Sequence, residues 1–241
     1  MAEARDDEEL FDRWVDGDER AGQELFRRYF DAIHRFFRRQ VGDDVQDLVQ
    51  NTFLGCVKAK GRFEKRAKFR TFLFQIARFQ LYRELRRRSR RPKVDFGVTS
   101  LEDVAPSPSR ILGERADMGV LLEALARIPV EQQLALTFYY LEELTAPEVG
   151  RALGGLSVPA VRGRLRRGLE RLRGEIERIR RPGGGGGGSA QWAGAVTLER
   201  WEAALPALPA GERELRDEEI PIIEDPDDDD VDGGDDSASD T

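Results

Sequence analysis

Between Lys58 and Lys93 stand fifteen lysines and arginines against two acids, Glu64 and Glu84, a net charge of +13 over 36 residues. A surface of that density attracts phosphate and displaces the counterions of a nucleic acid. At the 100° steps of a helix, Thr71, Gln75, Arg78, Tyr82 and Arg86 fall on one stripe flanked by Phe72 and Phe79. Hydroxyl, amide, guanidinium and phenol groups bond phosphates and base edges, and aromatic rings stack on unpaired bases. The stripe therefore suits single-stranded or melting DNA better than rigid duplex. Arg62, Lys65, Lys68 and Arg70 carry the same basic character ahead of it. The opposing expectation is that Phe72 and Phe79 are core residues, because aromatic side chains mostly pack.

Two further sets point to macromolecular partners. Arg162, Gly163, Arg164, Arg166 and Arg167 lie beside the apolar stripe Val161, Leu165, Leu169, Leu172, Ile176 and Ile179 of one long helix. Arginine forks onto guanine in a major groove, and Ser157 at the start of that helix suits a backbone phosphate. A short helix from Thr145, the turn Gly154-Gly155 and this basic helix make a helix-turn-helix pattern, although such pairs also occur in proteins that never touch DNA. Asp47, Gln50, Asn51 and Leu54 share the outer face of another helix, where acid, amide and apolar groups suit a protein partner; ordinary solvent exposure is the plainer alternative.

The elements that must position these residues are helices throughout, with no strand-like alternation. Apolar residues recur at helical spacing from Glu8 to Gln40, with a break at Gly17-Asp18. A helix follows from Asp43-Asp44 with Val45, Leu48, Val49, Phe53, Cys56 and Val57 inward, and another spans Phe69 to Arg88. Two apolar faces on the last of these imply a helix wedged between neighbours. Residues 94–114 lack sustained periodicity and read as a linker; a second helical block occupies 115–181. The fold class is therefore all-α: two small helical domains, 8–93 and 115–181, joined by a flexible linker, the second a helix-turn-helix. Six glycines, Gly183 to Gly188, form a spacer within 182–194. An extension at 195–241 contains one amphipathic stretch, Val196 to Leu205 around Trp201, and an acid-rich end that reads as largely disordered.

Charge separates the same parts. The chain has 241 residues and net charge -7, but 212–241 hold fifteen acids and two arginines, which leaves the first 211 residues at +6. The acidic end is expected either to compete with DNA for the basic surfaces or to serve as an inert solubilising chain. One cysteine, Cys56, excludes an internal disulfide framework and agrees with a reducing cytoplasm; one histidine, His34, excludes an ordinary Cys/His zinc site and reads as a structural residue at the core's edge. No signal peptide, membrane span, phosphate loop or nucleophile motif is evident, so an enzyme with a small-molecule substrate or cofactor is not expected.

In order along the chain, these blocks resemble bacterial RNA polymerase sigma factors, the compact extracytoplasmic-function group of the sigma-70 family. Asp47-Leu48-Val49-Gln50-Asn51-Thr52-Phe53 is similar to the family's Asp-Leu-Val-Gln-Glu-Thr-Phe, and Phe69-Arg70-Thr71-Phe72-Leu73-Phe74-Gln75-Ile76-Ala77-Arg78 to the helix after it. Ile128-Pro129-Val130-Glu131-Gln132-Gln133 and Leu156-Ser157-Val158-Pro159-Ala160-Val161-Arg162-Gly163-Arg164-Leu165 resemble region 4. The resemblance implies core polymerase, through its beta-prime clamp helices and beta flap, as partner, with promoter DNA and an anti-sigma protein as further partners. It implies that Asp47 and Gln50, with Asn51 and Leu54 beside them, meet the polymerase. The loop Gly61 to Lys68 and the helix after it would open the minus-ten element, and Ser157 to Arg167, including Pro159 and Ala160, would read the minus-thirty-five element. Asn51, Phe72 and Phe79 depart from the family's usual acid, tryptophan and asparagine. Pro147 and the doubled glycine are expected to alter the turn before the last helix. The competing reading is a freestanding helix-turn-helix regulator that acts without polymerase, which would need neither the acidic-amide helix nor a base-trapping loop.

Overall fold

Asp18 decides where the second helix begins. Its carboxylate accepts from the backbone N–H of Arg20 and Ala21 at 3.1 and 3.4 Å, while Gly17, at φ +103°, turns the chain out of the helix before. The computed structural model describes residues 6–62, 68–89, 93–104 and 116–180. Helices α1 (Asp7–Val15) and α2 (Glu19–Val41) meet where Trp14 lies flat against Gly22, so close that a Cβ there would stand 2.4 Å from the indole nitrogen. Helices α3 (Gln46–Ala59) and α4 (Phe69–Arg88) complete the first unit. As its two apolar faces require, α4 is wedged: Phe69, Leu73, Ile76 and Ala77 are buried on one side, and Phe74, Leu81 and Leu85 on the other.

The second unit consists of α6 (Ala116–Arg127), α7 (Val130–Leu136) running into a π-helical turn (Thr137–Leu141), α8 (Ala146–Ala152) and α9 (Val158–Arg180), preceded by the short α5 (Leu101–Val104). Thr145 and Glu148 close a capping box on α8, the Glu148 carboxylate accepting from both the N–H and the hydroxyl of Thr145 at 2.8 and 2.7 Å. Pro147 falls in the first turn of α8, where no intrahelical donor is needed, and leaves the helix intact. Gly154 and Gly155 both take positive φ, +93° and +89°, which accounts for two glycines in the turn. The turn folds back so tightly that a Cβ on Gly150 would lie 2.2 Å from the Leu156 carbonyl oxygen. Gly150→Ala is accordingly expected to destabilise the chain by about 1–3 kcal/mol, measured as a lowered urea midpoint at unchanged slope.

Residues 94–104, read from the sequence as the start of a linker, are packed. Phe96, Leu101 and Val104 are buried, the N–H groups of Val130 and Glu131 donate to the carbonyls of Thr99 and Phe96 at 3.0 and 3.1 Å, and Ser100 and Pro129 form a single β-bridge. The apolar residues here follow no helical period, so periodicity passes over them; their partners are distant in sequence. The rest of the expected linker at 105–114, residue 115, the loop at 63–67, and everything from 181 onward, including the glycine run and the acidic end, lie outside the described residues.

Candidate nucleic-acid interface

Helix α4 sorts its expected DNA-contacting residues by depth. Phe72 is fully buried, 5.8 Å from the ring of Phe11 and 6.4 Å from that of Phe69, and Thr71 is buried as well. The expectation that Phe72 faces unpaired bases is corrected in favour of the core alternative: its position on the helix turns it toward Phe11 of α1, where an aromatic ring removes more apolar surface from water than it does at the edge. Gln75, Arg78, Phe79 and Tyr82 are half-buried and Arg86 is exposed. Part of the basic charge is used internally. Glu84 is buried and bonds Arg87 and Arg88, and Arg88 also donates to the Val41 carbonyl at 3.0 Å; hydrogen bonding from Arg87 first, then Arg88, holds the Glu84 carboxyl below its usual range. Lys65 lies outside the described residues, as does the side chain of Arg62.

What half-buries the stripe is the second unit. The Arg78 guanidinium donates to the Leu153 carbonyl at 2.8 Å, at the turn of the helix-turn-helix, with its plane over the rings of Phe79 and Tyr82. Tyr82 stacks on Phe96 at 4.2 Å, and burial pushes its hydroxyl up to about 12. Phe138 enters from the π-helical turn to sit 5.7 Å from Phe36 and 5.5 Å from Phe74, which joins the two cores. Around that contact Glu142 pairs with Arg39 and Arg70 at 3.4 and 3.6 Å, and Glu148 pairs with Lys68 at 3.0 Å.

The two glutamates titrate in opposite senses. Burial raises the Glu142 carboxyl above its ordinary range, against the pull of Arg39, Arg70 and Arg35. Burial acts on Glu148 too, but the Thr145 backbone and hydroxyl bonds and the Lys68 ammonium outweigh it, and its carboxyl is lowered. A raised carboxyl adds stability that is full below its unfolded value and lost as pH rises through the folded one; a lowered carboxyl adds stability that is lost as pH falls. Glu142→Gln is therefore expected to gain stability relative to the parent at about pH 7 and to lose that advantage as pH falls through the raised folded range of Glu142, where the parent's own carboxyl becomes protonated, the loss being complete by the ordinary carboxylate range. Thermal midpoints of both proteins across this range measure the difference.

Asp47, Gln50, Asn51 and Leu54 are all exposed along α3. Along α9, Ser157, Pro159, Ala160, Arg166 and Arg167 are exposed, while Arg162, Gly163 and Arg164 are half-buried. The Ser157 hydroxyl accepts from the Ala160 N–H at 3.4 Å, and Arg164 pairs with Glu131 at 2.8 Å. His34 sits at the core's edge, stacked on Phe30.

Residues 25–91 match the family description Sigma-70 region 2, and residues 118–172 match Sigma-70, region 4. The chain is 33% identical over 174 residues to the RNA polymerase sigma factor CarQ of Myxococcus xanthus, covering 69% of this chain and 97% of that one. It is 30% identical over 170 residues to the ECF RNA polymerase sigma factor SigM of Mycobacterium tuberculosis, covering 70% and 83%. The chain belongs to the sigma-70 family of RNA polymerase sigma factors, in its extracytoplasmic-function group.

The fold agrees. A solved structure of CnrH in complex with the cytosolic domain of CnrY superposes with a TM-score of 0.53 at 24% identity, covering 71% of this chain and 97% of that one. The sigma factor RpoE in complex with the anti-sigma factor NepR from Bartonella quintana gives 0.50 at 21%, covering 66% and 98%. In sigma-factor terms α2 to α4 form region 2 and α6 to α9 region 4, and region 4 lies directly on the basic stripe of region 2. The residues that make this contact, Phe138, Glu142, Glu148 and Leu153, were not singled out from the sequence. Glu142 and Glu148 carried one usable signal, two acids in a helix-turn-helix unit facing a block of net +13. Phe138 carried none, because an aromatic residue in a helical run reads as local core. No helix among the described residues is long and apolar enough to cross a membrane.

Proposed function

We propose that this sigma factor directs core RNA polymerase to promoters and opens the minus-ten element, without catalytic chemistry of its own, and that it does so in the cytoplasm. Region 2 at 8–93 and region 4 at 115–181 are its working domains, with 94–114 and 182–194 as connections and 195–241 as an accessory extension. The observation that carries this reading is the division of surfaces. An exposed acid-amide face on α3 stands apart from a basic aromatic stripe on α4 and an exposed arginine-bearing edge on α9. Asp47, Gln50, Asn51 and Leu54 meet the clamp helices of core polymerase. Lys68, Arg70, Gln75, Arg78, Phe79, Tyr82 and Arg86, with Arg62 and Lys65 of the preceding loop, act on minus-ten DNA. Ser157, Pro159, Ala160, Arg162, Gly163, Arg164, Arg166 and Arg167 serve the minus-thirty-five element. Phe72 supports the stripe from the core.

The closed packing is the resting form. Arg70 and Arg78 are engaged by region 4 and Tyr82 by Phe96 of the connection between the regions, and promoter DNA reaches them only after these contacts part. Core polymerase, by holding the two regions on separate surfaces, supplies the opening, and an anti-sigma protein would act by keeping them together. Run-off transcription with purified core polymerase on a promoter library tests the reading. Core-dependent initiation at a defined pair of elements is expected; sequence-specific duplex binding by the chain alone, with no effect on core, would replace it with the freestanding regulator.

A further inference from the structure

Among the described residues four large hydrophobic side chains are exposed, and three of them, Phe30, Leu54 and Val57 at 49%, 48% and 42%, line one groove between α2 and α3. The groove encloses about 320 Å³, with Phe26, Val49 and Phe53 also in its lining, and exposed Arg27 and Asp31 line the hollow that adjoins it over Phe26, Phe30 and Phe53. Concentrated apolar exposure with a polar rim marks an interaction site rather than ordinary surface. The chain carries a segment of matching chemistry outside the described residues. In Val196 to Leu205, Leu198, Trp201 and Leu205 stand at i, i+3 and i+7 and share one helical face, Glu199 and Glu202 lie beside it, Thr197 supplies an N-cap and Pro206 a stop. Helix-in-groove binding is read from anchors at this spacing, and a tryptophan is the strongest single anchor type.

We propose that residues 196–205 dock as an amphipathic helix into this groove of the same chain, with Trp201 as the anchor and Glu199 and Glu202 toward Arg27. The tether suffices. Fifteen residues separate Arg180 from Val196, about 50 Å when extended, against a diameter of about 40 Å for a body of this size. A short glycine-rich tether gives an effective concentration on the order of 1 mM, so even a helix with a Kd of about 100 µM occupies the groove about ten parts to one. Gln50 and Leu54 belong both to the groove and to the proposed polymerase face; on that reading, the docked segment competes with core polymerase and lowers its affinity about tenfold.

The docking is tested in the full chain by placing cysteines at Val57→Cys and Ala204→Cys and following disulfide formation under mild oxidation in dilute solution; native Cys56 is fully buried and does not intervene. The expected result is an intramolecular disulfide forming at least about tenfold faster than in a control pair of Val57→Cys with Ser237→Cys, with the excess abolished by Trp201→Glu. A rate equal to the control, insensitivity to Trp201→Glu, or disulfides found only in dimers overturns the proposal, the last by assigning the groove to a second copy. Trp201→Glu alone is expected to raise core polymerase affinity about tenfold. Unchanged affinity overturns the competition. If neither parent nor variant binds core at all, the proposed function fails, and the disulfide rates still decide the docking.

Discussion

Asp47→Arg combined with Gln50→Ala is expected to lower core-dependent transcription about 100-fold while leaving the unfolding midpoint unchanged. Both residues are exposed on α3, away from its buried face, so their replacement leaves the core packing intact. Reversing the charge of one interface residue and truncating its neighbour places like charge where a favourable contact is needed, an effect of several kcal/mol in a protein interface. Each 1.4 kcal/mol is a factor of ten in affinity. The measurement pairs a pull-down of core polymerase with thermal unfolding of the free chain. Lost binding at full stability supports α3 as the polymerase face; wild-type binding removes it.

Phe138→Ala is expected to cost about 3–5 kcal/mol, the range for emptying a fully buried aromatic site. It should also change the form of unfolding. Phe138 is the ring that reaches from the π-helical turn of region 4 between Phe36 of α2 and Phe74 of α4, so it is where the two cores become one. Without it the ties left between regions 2 and 4 are the packing of α8 on α4 and the polar contacts of Glu142 with Arg39 and Arg70, Glu148 with Lys68, and Arg78 with the Leu153 carbonyl. The desolvation of the buried Glu142 and Glu148 carboxylates offsets much of the attraction in these pairs. The parent is expected to unfold in a single transition and the variant in two, one for each region, followed by intrinsic fluorescence against far-ultraviolet dichroism in urea. A single transition at an unchanged midpoint would show that Phe138 does not couple the regions.

The same substitution bears on function. If the closed packing is the resting form, Phe138→Ala exposes Arg70 and Arg78, and binding to a single-stranded minus-ten oligonucleotide should strengthen even though the protein is less stable. A purely structural role predicts the reverse.

The helices were legible in the sequence because each satisfies local rules: Asp18 and Thr145 cap, Gly17, Gly154 and Gly155 turn, and the stripes of α4 and α9 repeat at 3.6 residues. The exposed α3 face and the charge of the α4 stripe were equally legible, because exposure and charge follow from which residues are left over once the apolar face is assigned. Phe72 was not. Its neighbours on the stripe are polar, and only the position of α1, through Phe11, turns its side of the helix into core. The segment holding Phe96, Leu101 and Val104 was missed for a related reason, since its burial and its backbone hydrogen bonds to α7 depend on partners about thirty residues away.

By itself, then, the order of residues determined two helical units, their capping, a basic body of +6 with an extension of -13, and the surfaces that suit polymerase and DNA. The tertiary structure alone decided that the second unit lies across the basic stripe of the first. That outcome depends on Phe138 finding a gap between Phe36 and Phe74, and on Glu142 and Glu148 meeting Arg39, Arg70 and Lys68. Such contacts join residues from about 60 to more than 100 positions apart, and neither helical periodicity nor local charge carries information over that distance. The basic stripe is thus a nucleic-acid surface by composition, and a closed one by packing.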